Sequence, residues 1–252
     1  MTMQLLDTLR WLWQKLLPSP CLWCTLPVLN HQQLLCPDCQ TALPQLPFAL
    51  CHYNLLWLPA VSNGLTDCQF DRLLSLAWYQ LPFKHWIRRW KFHADAYSAA
   101  LLQQQFVQLL KHYQAAGHPL PDAIVYVPMT RKKERKRGFN QAKILAELAA
   151  NNLQLPLLDI LQRSKDGAHQ VGLNRQQRQK NLKGVFQITC AGKLPAHVAL
   201  IDDVVTTGAT ANQLTRLLKQ HGASQVSVWT LAVTPAFNYS SSSSSSALAL
   251  KP

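Results

Sequence analysis

The sequence contains no long hydrophobic stretch. None of its apolar runs reaches the length of about eighteen residues that a membrane-spanning helix needs, so we expect no membrane span. The hydrophobic fraction of 48% is nevertheless ordinary for a globular protein. A chain of 252 residues is long enough for one core of ordinary size and a small appendage.

Acidic residues are scarce. The chain has 12 Asp and Glu against 25 Lys and Arg, which gives a formal net charge of +13 at pH 7. An excess of this size predicts anionic partners such as phosphates, nucleotides or nucleic acid, without choosing among them. The sequence also lacks a Ser-His-Asp or Cys-His arrangement, so we expect no covalent intermediate.

The cysteines are spaced for a metal ion. Two CxxC pairs supply four candidate ligands: Cys21, Cys24, Cys36 and Cys39. Four thiolates at this spacing can close a tetrahedral Zn²⁺ site, which would be structural because no open coordination position is implied. Ordinary buried thiols and a redox pair are the alternatives. We expect Cys51 and Cys68 to be core or vestigial cysteines, and this cysteine usage favours the reducing cytosol.

The most informative segment joins an apolar run to two acids and then to a helix. Residues 198–201 are apolar and bounded by charge, which predicts a strand buried on both faces of a parallel sheet. Asp202 and Asp203 follow at its carboxyl end, where open α/β sheets bind ligands. Leucines at helical spacing then predict a helix that ends near Gly222.

A loop of small and hydroxyl-bearing residues leads into this helix. It consists of Thr206, Thr207, Gly208, Ala209 and Thr210. Small residues let the backbone approach a ligand closely, and a helix N-terminus favours an anion. We therefore predict a phosphate in the loop and sugar hydroxyls on the two acids. The alternative is an acidic turn and a capped helix that serve the fold alone.

A strongly basic segment follows another predicted buried strand, at residues 122–128. Six of the seven residues 131–137 are basic, and a predicted helix that includes Ala142 and Ala149 comes next. A loop of this charge after the carboxyl end of a strand would hold a diphosphate through charge and guanidinium forks. The alternative is a solvated run of charges.

Residues 83–116 are predicted to be helical, with a break near His93. The first part interleaves Trp86 and Trp90 with cations, a pattern that could serve single-stranded nucleic acid. The alternative is a helix that buries its aromatic side chains and leaves its cations in solvent. The remaining predicted strands are residues 73–80, 157–161 and 224–234.

Three further segments are predicted to lie outside the sheet. Residues 163–186 are polar, which is typical of a functional lid whose cations close over a phosphate ester. Residues 1–20 have an amphipathic pattern that predicts a helix rather than a signal peptide. Consecutive serines at 240–246 predict a disordered tail over residues 237–252.

The chain resembles two related groups of proteins. Residues 198–210 closely resemble the binding signature of type I phosphoribosyltransferases. The whole chain resembles the ComF family, which includes GntX-like and ComFC-like proteins. The residues that carry this wider resemblance are the two CxxC pairs, Tyr79 with Lys91-Phe92, Arg137-Gly-Phe-Asn-Gln141, the series Gln170, Leu173, Arg178, Asn181 and Phe186, and residues 198–210.

The resemblance implies an α/β fold in two parts. Residues 73–236 would form a type I phosphoribosyltransferase-like parallel sheet flanked by helices, and residues 21–72 a small zinc-ribbon-like module with four cysteine ligands. The implied ligands are structural Zn²⁺ and Mg²⁺ with phosphoribosyl pyrophosphate. Asp202 and Asp203 would contact the ribose hydroxyls, and residues 206–210 would cradle the 5′-phosphate.

The predicted site has two further parts. The pyrophosphate loop would comprise Arg131, Lys132, Arg137 and Gly138. The lid would comprise Gln170, Arg175, Arg178 and Asn181. In such folds a variable hood selects the acceptor base, here over residues 75–95 and 234–239.

The implied function is phosphoribosyl transfer to an unidentified acceptor by a cytoplasmic protein linked to DNA uptake or utilisation in competent bacteria. Single-stranded DNA and competence helicase or DNA-processing proteins are the implied partners. The main alternative is a non-catalytic, single-stranded nucleic-acid-binding factor that keeps the fold as a sensor or scaffold. A structural adaptor is the third interpretation. The acceptor and the oligomeric state are left open.

Overall fold

The computed structural model describes residues 19–28, 33–163, 185–189 and 192–236. Its elements in chain order are β1 (Ser19–Pro20), β2 (Pro27–Val28), α1 (Pro37–Thr41), α2 (Phe48–Cys51), a 3₁₀ turn (Leu55–Trp57), α3 (Pro59–Ser62), β3 (Arg72–Trp78), α4 (Phe83–His93), α5 (Ala96–Ala115), β4 (Ala123–Tyr126), α6 (Arg131–Arg137), α7 (Gln141–Leu153), β5 (Leu161–Arg163), β6 (Phe186–Ile188), β7 (His197–Val205), α8 (Ala209–Gln220) and β8 (Gln225–Val233).

A four-stranded parallel sheet forms the centre of the protein. The strand order is β3-β8-β7-β4, and each neighbouring pair is parallel. All four carboxyl ends therefore lie at one edge of the sheet. β4 is buried along its whole length and β8 is buried after its first residue, as expected of strands covered on both faces.

Helices cover this sheet. α7 packs on β4 and β7, α8 packs on β7 and β8, and α5 packs on α4 and α7. The predicted break near His93 is confirmed, because Ala94 adopts a left-handed conformation at the end of α4. Asp95 then caps α5 by accepting a hydrogen bond from the backbone N–H of Ser98 at 3.0 Å. The predicted α/β class, a parallel sheet flanked by helices, is confirmed.

The strand that carries the two acids is longer than predicted. β7 continues beyond Ile201 to Val205, so Asp202 and Asp203 lie within the strand rather than after it. The cause is the neighbouring strand, because Val204 and Val205 pair with Ala232 and Val233 of β8 and extend the ladder. The acids are nevertheless close to the carboxyl edge.

The basic segment is a helix and not the predicted loop. Thr130 caps α6 by accepting from the backbone N–H of Lys133 at 3.4 Å, and Gly138 ends it in a left-handed conformation at φ 86°. These two caps support the helix, and five of its six cations are exposed, while Arg137 is partly buried.

The predicted strand at residues 157–161 is also corrected. Leu157 makes only an isolated parallel bridge to Ile124 of β4. The regular strand begins at Leu161, where β5 pairs with β6 in a separate antiparallel ribbon. Residues 164–184, which fall between these two strands, lie outside the described residues.

The N-terminal cysteine segment packs against the sheet domain. Its buried residues belong to the same hydrophobic core as the sheet. The indole N–H of Trp86 donates to the carbonyl of Leu22 at 3.4 Å, and Trp23 contacts the Trp86 ring edge-on at 6.4 Å. The domain boundary at residues 72 and 73 stays a prediction.

The predicted N-terminal helix and serine-rich tail lie outside the described residues, except that Ser19–Pro20 forms β1. Across the described parts of the chain, no helix is both long and apolar enough to cross a membrane.

Candidate functional site

The loop after β7 is open to solvent and faces the first acid. Thr206, Thr207 and Ala209 are exposed. Asp202 and all five predicted phosphate-binding residues line one cavity of about 70 Å³. A single water molecule needs about 10–15 Å³ of such space, so the cavity has room for a small group beside the acid. The structure thus brings the acid and the loop together.

Gly208 gives the loop its shape. Its φ of +76° lies in the left-handed region, where it serves as the N-cap of α8. A Cβ atom at this position would lie 3.1 Å from a methyl group of Leu65. Glycine is therefore required here both by the backbone angle and by the close approach of a neighbouring segment.

That neighbouring segment braces the loop. The backbone N–H of Thr66 donates to the carbonyl of Thr207 at 3.2 Å. Asn212, only 4% exposed on α8, donates to the carbonyl of Thr66 at 2.7 Å and accepts from the N–H of Gln69 at 2.9 Å. The chain that enters the sheet from the cysteine segment is thereby fastened to the loop and to the helix behind it.

The second acid is held by a lysine. The ammonium of Lys91 on α4 donates to a carboxylate oxygen of Asp203 at 2.6 Å, and both side chains are partly buried. The backbone N–H of Asp203 in turn donates to a carboxylate oxygen of Asp202 at 2.8 Å. The two acids therefore differ in role, since Asp202 faces the loop cavity and Asp203 is neutralised by α4.

The two acids also differ in their affinity for a proton. Burial raises the pKa of Asp202 to about 8, and the negative charge of Asp203 adds to the effect. The charge of Lys91 opposes this rise. Near neutral pH Asp202 can therefore donate a hydrogen bond as well as accept one, which suits a sugar hydroxyl.

The predicted pyrophosphate residues lie on α6 and at its end. Arg131 and Lys132 are exposed, and Arg131 lines a separate cavity of about 290 Å³ with Asp159 and Lys143. Arg137 donates to the side-chain carbonyl of Gln141 at 2.8 Å. Gly138 is the left-handed C-cap. The predicted lid residues, Gln170, Arg175, Arg178 and Asn181, lie outside the described residues.

The two tryptophans of α4 do not form a nucleic-acid surface. Trp86 and Trp90 are buried, at 1% and 3% exposure, and Trp90 stacks on Phe139 with ring centroids 6.1 Å apart. For Trp86 and Trp90, the interpretation in which this helix buries its aromatic side chains is correct. Stacking of single-stranded nucleic acid on these two tryptophans is excluded in this conformation.

The four CxxC cysteines converge. Their sulfur atoms all lie within 4.8 Å of one another, and those of Cys24 and Cys36 are 3.7 Å apart. A tetrahedral zinc site with Zn–S bonds of about 2.3 Å places its sulfurs about 3.8 Å apart, so the cluster fits Zn²⁺. Among the residues that the structure describes, this is the single group of candidate metal ligands.

Backbone hydrogen bonds hold the sulfur atoms of this cluster in place. Cys36 is the N-cap of α1 and accepts from the backbone N–H of Cys39 at 3.4 Å, while its own N–H donates to the sulfur of Cys21 at 3.4 Å. Burial acts to raise the pKa of Cys21, but hydrogen bonds from the backbone of Cys24, Cys36 and Trp23 lower it to about 6. Cys51 is buried in the core, and Cys68 is exposed.

Comparison with known proteins identifies the family. The chain is 31% identical to Competence protein F of Haemophilus influenzae over 210 residues, which are 79% of this chain and 90% of that protein. The chain belongs to the ComF family. This ComF protein is also 31% identical over 229 residues to DNA utilization protein YhgH of Salmonella typhi, covering 86% of this chain and 98% of that one. Competence protein ComFC of Streptococcus pneumoniae is 26% identical over 209 residues, 80% and 89% of the two chains. A comparison with models of protein families gave no match.

Solved structures similar to this ComF protein include phosphoribosyltransferases. A purine phosphoribosyltransferase from Pyrococcus horikoshii gives a TM-score of 0.35 at 19% identity, over 54% of this chain and 83% of that chain. Adenine phosphoribosyltransferase from Leishmania tarentolae gives 0.33 at 17% identity, over 56% and 73%. These TM-scores are too low to support an argument, so the fold assignment rests on the sheet order and register above.

The sequence does not predict the contacts of two residues of the site. Lys91 lies in a motif that carries the family resemblance, yet nothing in the sequence pairs it with Asp203, 112 residues away. Asn212 sits on a helix with no local signal, and its partners are more than 140 residues distant. Both contacts depend on tertiary packing.

Proposed function

We propose that this ComF protein binds phosphoribosyl pyrophosphate with Mg²⁺ at the carboxyl edge of the sheet and transfers its phosphoribosyl group to an acceptor. The shared cavity of Asp202 and residues 206–210 is the observation that carries the proposal. It offers backbone and hydroxyl donors to a phosphate and, beside them, a carboxyl group to a ribose hydroxyl.

Each group of residues in the site would have a separate role in binding and transfer. Residues 206–210 hold the 5′-phosphate at the start of α8, and Asp202 orients the ribose. Lys91 offsets the charge of Asp203, so Asp202 does not face an unpaired carboxylate. The cations of α6 stabilise the diphosphate as it leaves. Because these contributions are positional and electrostatic, no nucleophilic side chain of the protein is required.

The oxygen-bearing side chains at the carboxyl edge of the sheet are compatible with Mg²⁺ carried by the diphosphate. Mg²⁺ prefers oxygen ligands, keeps several waters and is commonly bound through one or two carboxylates together with substrate phosphates. Asp202 offers carboxyl oxygens at the cavity and would have to give up its proton to hold Mg²⁺, while Asp203 is engaged by Lys91. When bound, Mg²⁺ would offset the charge of the diphosphate.

We propose further that Cys21, Cys24, Cys36 and Cys39 hold a structural Zn²⁺. The sulfur spacing supports it, and the segment is too short to fold around a core of its own. Metal analysis of the purified protein should give about one zinc per chain, and Cys24→Ser should lower it. Less than about half an equivalent under non-chelating conditions would count against the site.

The biological role proposed here follows the relatives, whose names refer to competence and DNA utilization. The exposed cations of α6 and the net charge of +13 supply an electrostatic surface for DNA phosphates. We therefore propose a role in DNA uptake or utilisation, with single-stranded DNA as a second ligand.

One experiment tests both the proposed sugar-phosphate site and the proposed DNA binding. Calorimetric titration of the wild type with phosphoribosyl pyrophosphate and Mg²⁺ should show binding, and the double variant Asp202→Asn, Asp203→Asn should abolish it. The same variant should bind a single-stranded oligonucleotide like the wild type. Loss of DNA affinity with sugar-phosphate binding intact would show that the acids do not form the sugar site. Release of pyrophosphate with candidate bases or DNA would then establish turnover.

A further inference from the structure

A second cavity, of about 290 Å³, lies on the side of β4 that faces away from β7. Ile124 of β4 pairs with Ala199 of β7 on one side and forms the bridge to Leu157 on the other. Asp159, two residues after Leu157, lines the cavity, and no residue of β7 does. The cavity shares no lining residue with the cavity beside Asp202. Its volume is close to the lower end of the range of about 300–1,000 Å³ that is typical of small-molecule sites.

Three cations from three different elements line this cavity. They are Arg131 on α6, Lys143 on α7 and Arg163 on β5. None of the ion pairs among the residues that the structure describes involves these three side chains. Like charges that the fold brings to one cavity repel each other, and an anionic group bound among them would offset that repulsion.

The packing of Arg163 orients its guanidinium group. The guanidinium carbon lies 5.2 Å from the centre of the Phe186 ring, within the range of a cation–π contact. Its Nε atom is shielded from solvent and has no hydrogen-bond partner within the described parts of the chain. A buried N–H donor without a partner is uncommon, because its desolvation is costly. An acceptor on a ligand in the cavity would supply that partner.

Two acids line the same cavity and would oppose a simple anion. They are Glu134 on α6 and Asp159, which accepts a hydrogen bond from the phenol of Tyr126 at 2.5 Å. Burial, together with the hydrogen bond to Asp159 and its charge, raises the pKa of Tyr126, so the phenol stays protonated and donates. The cavity therefore presents three positive and two negative side chains, a pattern complementary to a ligand with two acidic groups and one ammonium group.

We propose that this cavity binds a small zwitterion of net negative charge. Its acidic groups contact the three cations, and its ammonium group contacts Asp159 and Glu134. Dicarboxylic α-amino acids and phosphate monoesters that carry an amino group both have this chemistry. The inference goes beyond the proposed function, because the ligand is neither a sugar phosphate nor bound by the residues proposed to hold the ribose and its 5′-phosphate.

The test compares ligands that differ in one charged group. The full-length wild type is titrated with L-glutamate, with O-phospho-L-serine, with glutarate, which lacks the ammonium group, and with inorganic phosphate. It should bind L-glutamate or O-phospho-L-serine at least about tenfold more tightly than glutarate and inorganic phosphate. The tighter of the two zwitterions shows whether the second acidic group is a carboxylate or a phosphate. Failure of both to bind, or equally tight binding of glutarate, would overturn the inference.

Variants at the cavity test the two kinds of contact. Lys143→Gln should lose about tenfold in affinity for the zwitterion. Asp159→Asn keeps an acceptor for the Tyr126 phenol but loses its charge, so it should bind the zwitterion more weakly and glutarate more tightly. Glu134→Gln gives the same test if urea unfolding shows that Asp159→Asn is unstable. Lys111→Gln, an exposed cation on α5, should bind both ligands like the wild type.

Phosphoribosyl pyrophosphate separates this cavity from the proposed sugar-phosphate site. Lys143→Gln should bind it like the wild type. If Lys143→Gln weakens phosphoribosyl pyrophosphate and the zwitterion equally, the cavity is part of the diphosphate site and the inference is overturned, while the proposed function stands. If the wild type binds the zwitterion but not phosphoribosyl pyrophosphate, the proposed function fails and the inference stands.

Discussion

The two regions proposed to bind anions lie at the carboxyl edge of the sheet, and they are built in opposite ways. The loop at residues 206–210 carries no charge, follows a buried strand and is fastened by the segment around Thr66. Helix α6 carries six cations among seven residues and buries none of them. The first region has a fixed shape, and the second has charge on a solvated surface.

Because of this difference, we expect the two regions to contribute differently to binding of an anion. A braced loop with backbone donors recognises an anion by position, because its groups do not move to meet the ligand. Exposed cations on flexible side chains attract an anion over a distance and are screened by salt. Substitutions in the loop should therefore have large effects that are insensitive to salt. Those in α6 should have small effects that depend on it.

The largest effect is expected from Gly208→Val. The left-handed φ and the 3.1 Å approach of Leu65 leave no room for a β-branched side chain, so the loop must change shape. We expect more than about tenfold loss of phosphoribosyl pyrophosphate affinity, the equivalent of more than about 1.4 kcal/mol, by calorimetry. Gly192→Ala is the matched control, since a Cβ there meets nothing within 4 Å. Wild-type affinity in Gly208→Val would show that the loop is not a phosphate site.

Removal of the Asn212 side chain, which links the loop to the segment around Thr66, should have the next largest effect. Asn212→Ala deletes two hydrogen bonds of a buried side chain and leaves the carbonyl of Thr66 and the N–H of Gln69 without this partner. We expect a loss of about 2 kcal/mol in the free energy of unfolding, measured with urea, and weaker sugar-phosphate binding. Asn152→Ala, on the exposed end of α7, should change neither. A stable variant with normal binding would mean that the loop holds its shape unaided.

Asp202 provides a pH-dependent test on the loop side. Its raised pKa means that the folded protein holds a proton which the unfolded chain releases, so this group's contribution to stability falls as pH rises toward about 8. Asp202→Asn should therefore be more stable than wild type at pH 8, by about 1–2 kcal/mol after allowance for solvent screening. The advantage should shrink as pH falls to 5. An advantage that is independent of pH would show that Asp202 is ionised in the folded protein.

The smallest effect is expected on α6. Lys132→Gln with Arg135→Gln removes two exposed cations, and the affinity for phosphoribosyl pyrophosphate should fall by about 0.5–1 kcal/mol at low ionic strength. At about 1 M salt, where the Debye length is about 3 Å, the difference should disappear. Lys111→Gln, an exposed cation on α5, is the control. A loss that persists at high salt would mean that these cations contact the ligand directly.

The predictable parts of this protein are those whose signals are local. The run of strand, acids, loop and helix at residues 198–220 is continuous in sequence, and each CxxC pair places two thiols side by side. The helical form of α6 is also encoded locally, by the capping residues Thr130 and Gly138. The dense positive charge between them favours a loop prediction instead, so these two caps are not enough to predict the helix. The brace at Asn212 and the ion pair of Lys91 with Asp203 join segments more than 100 residues apart, so no sequence pattern reveals them.

The central claim is that one acid and one loop bind a single sugar phosphate together. The structure of the complex with phosphoribosyl pyrophosphate and Mg²⁺ tests it most directly. We predict the 5′-phosphate within hydrogen-bonding distance of the backbone of residues 206–210 and a ribose hydroxyl on Asp202. A ligand bound through its phosphates to α6, with the loop empty and Asp202 uncontacted, would contradict the account.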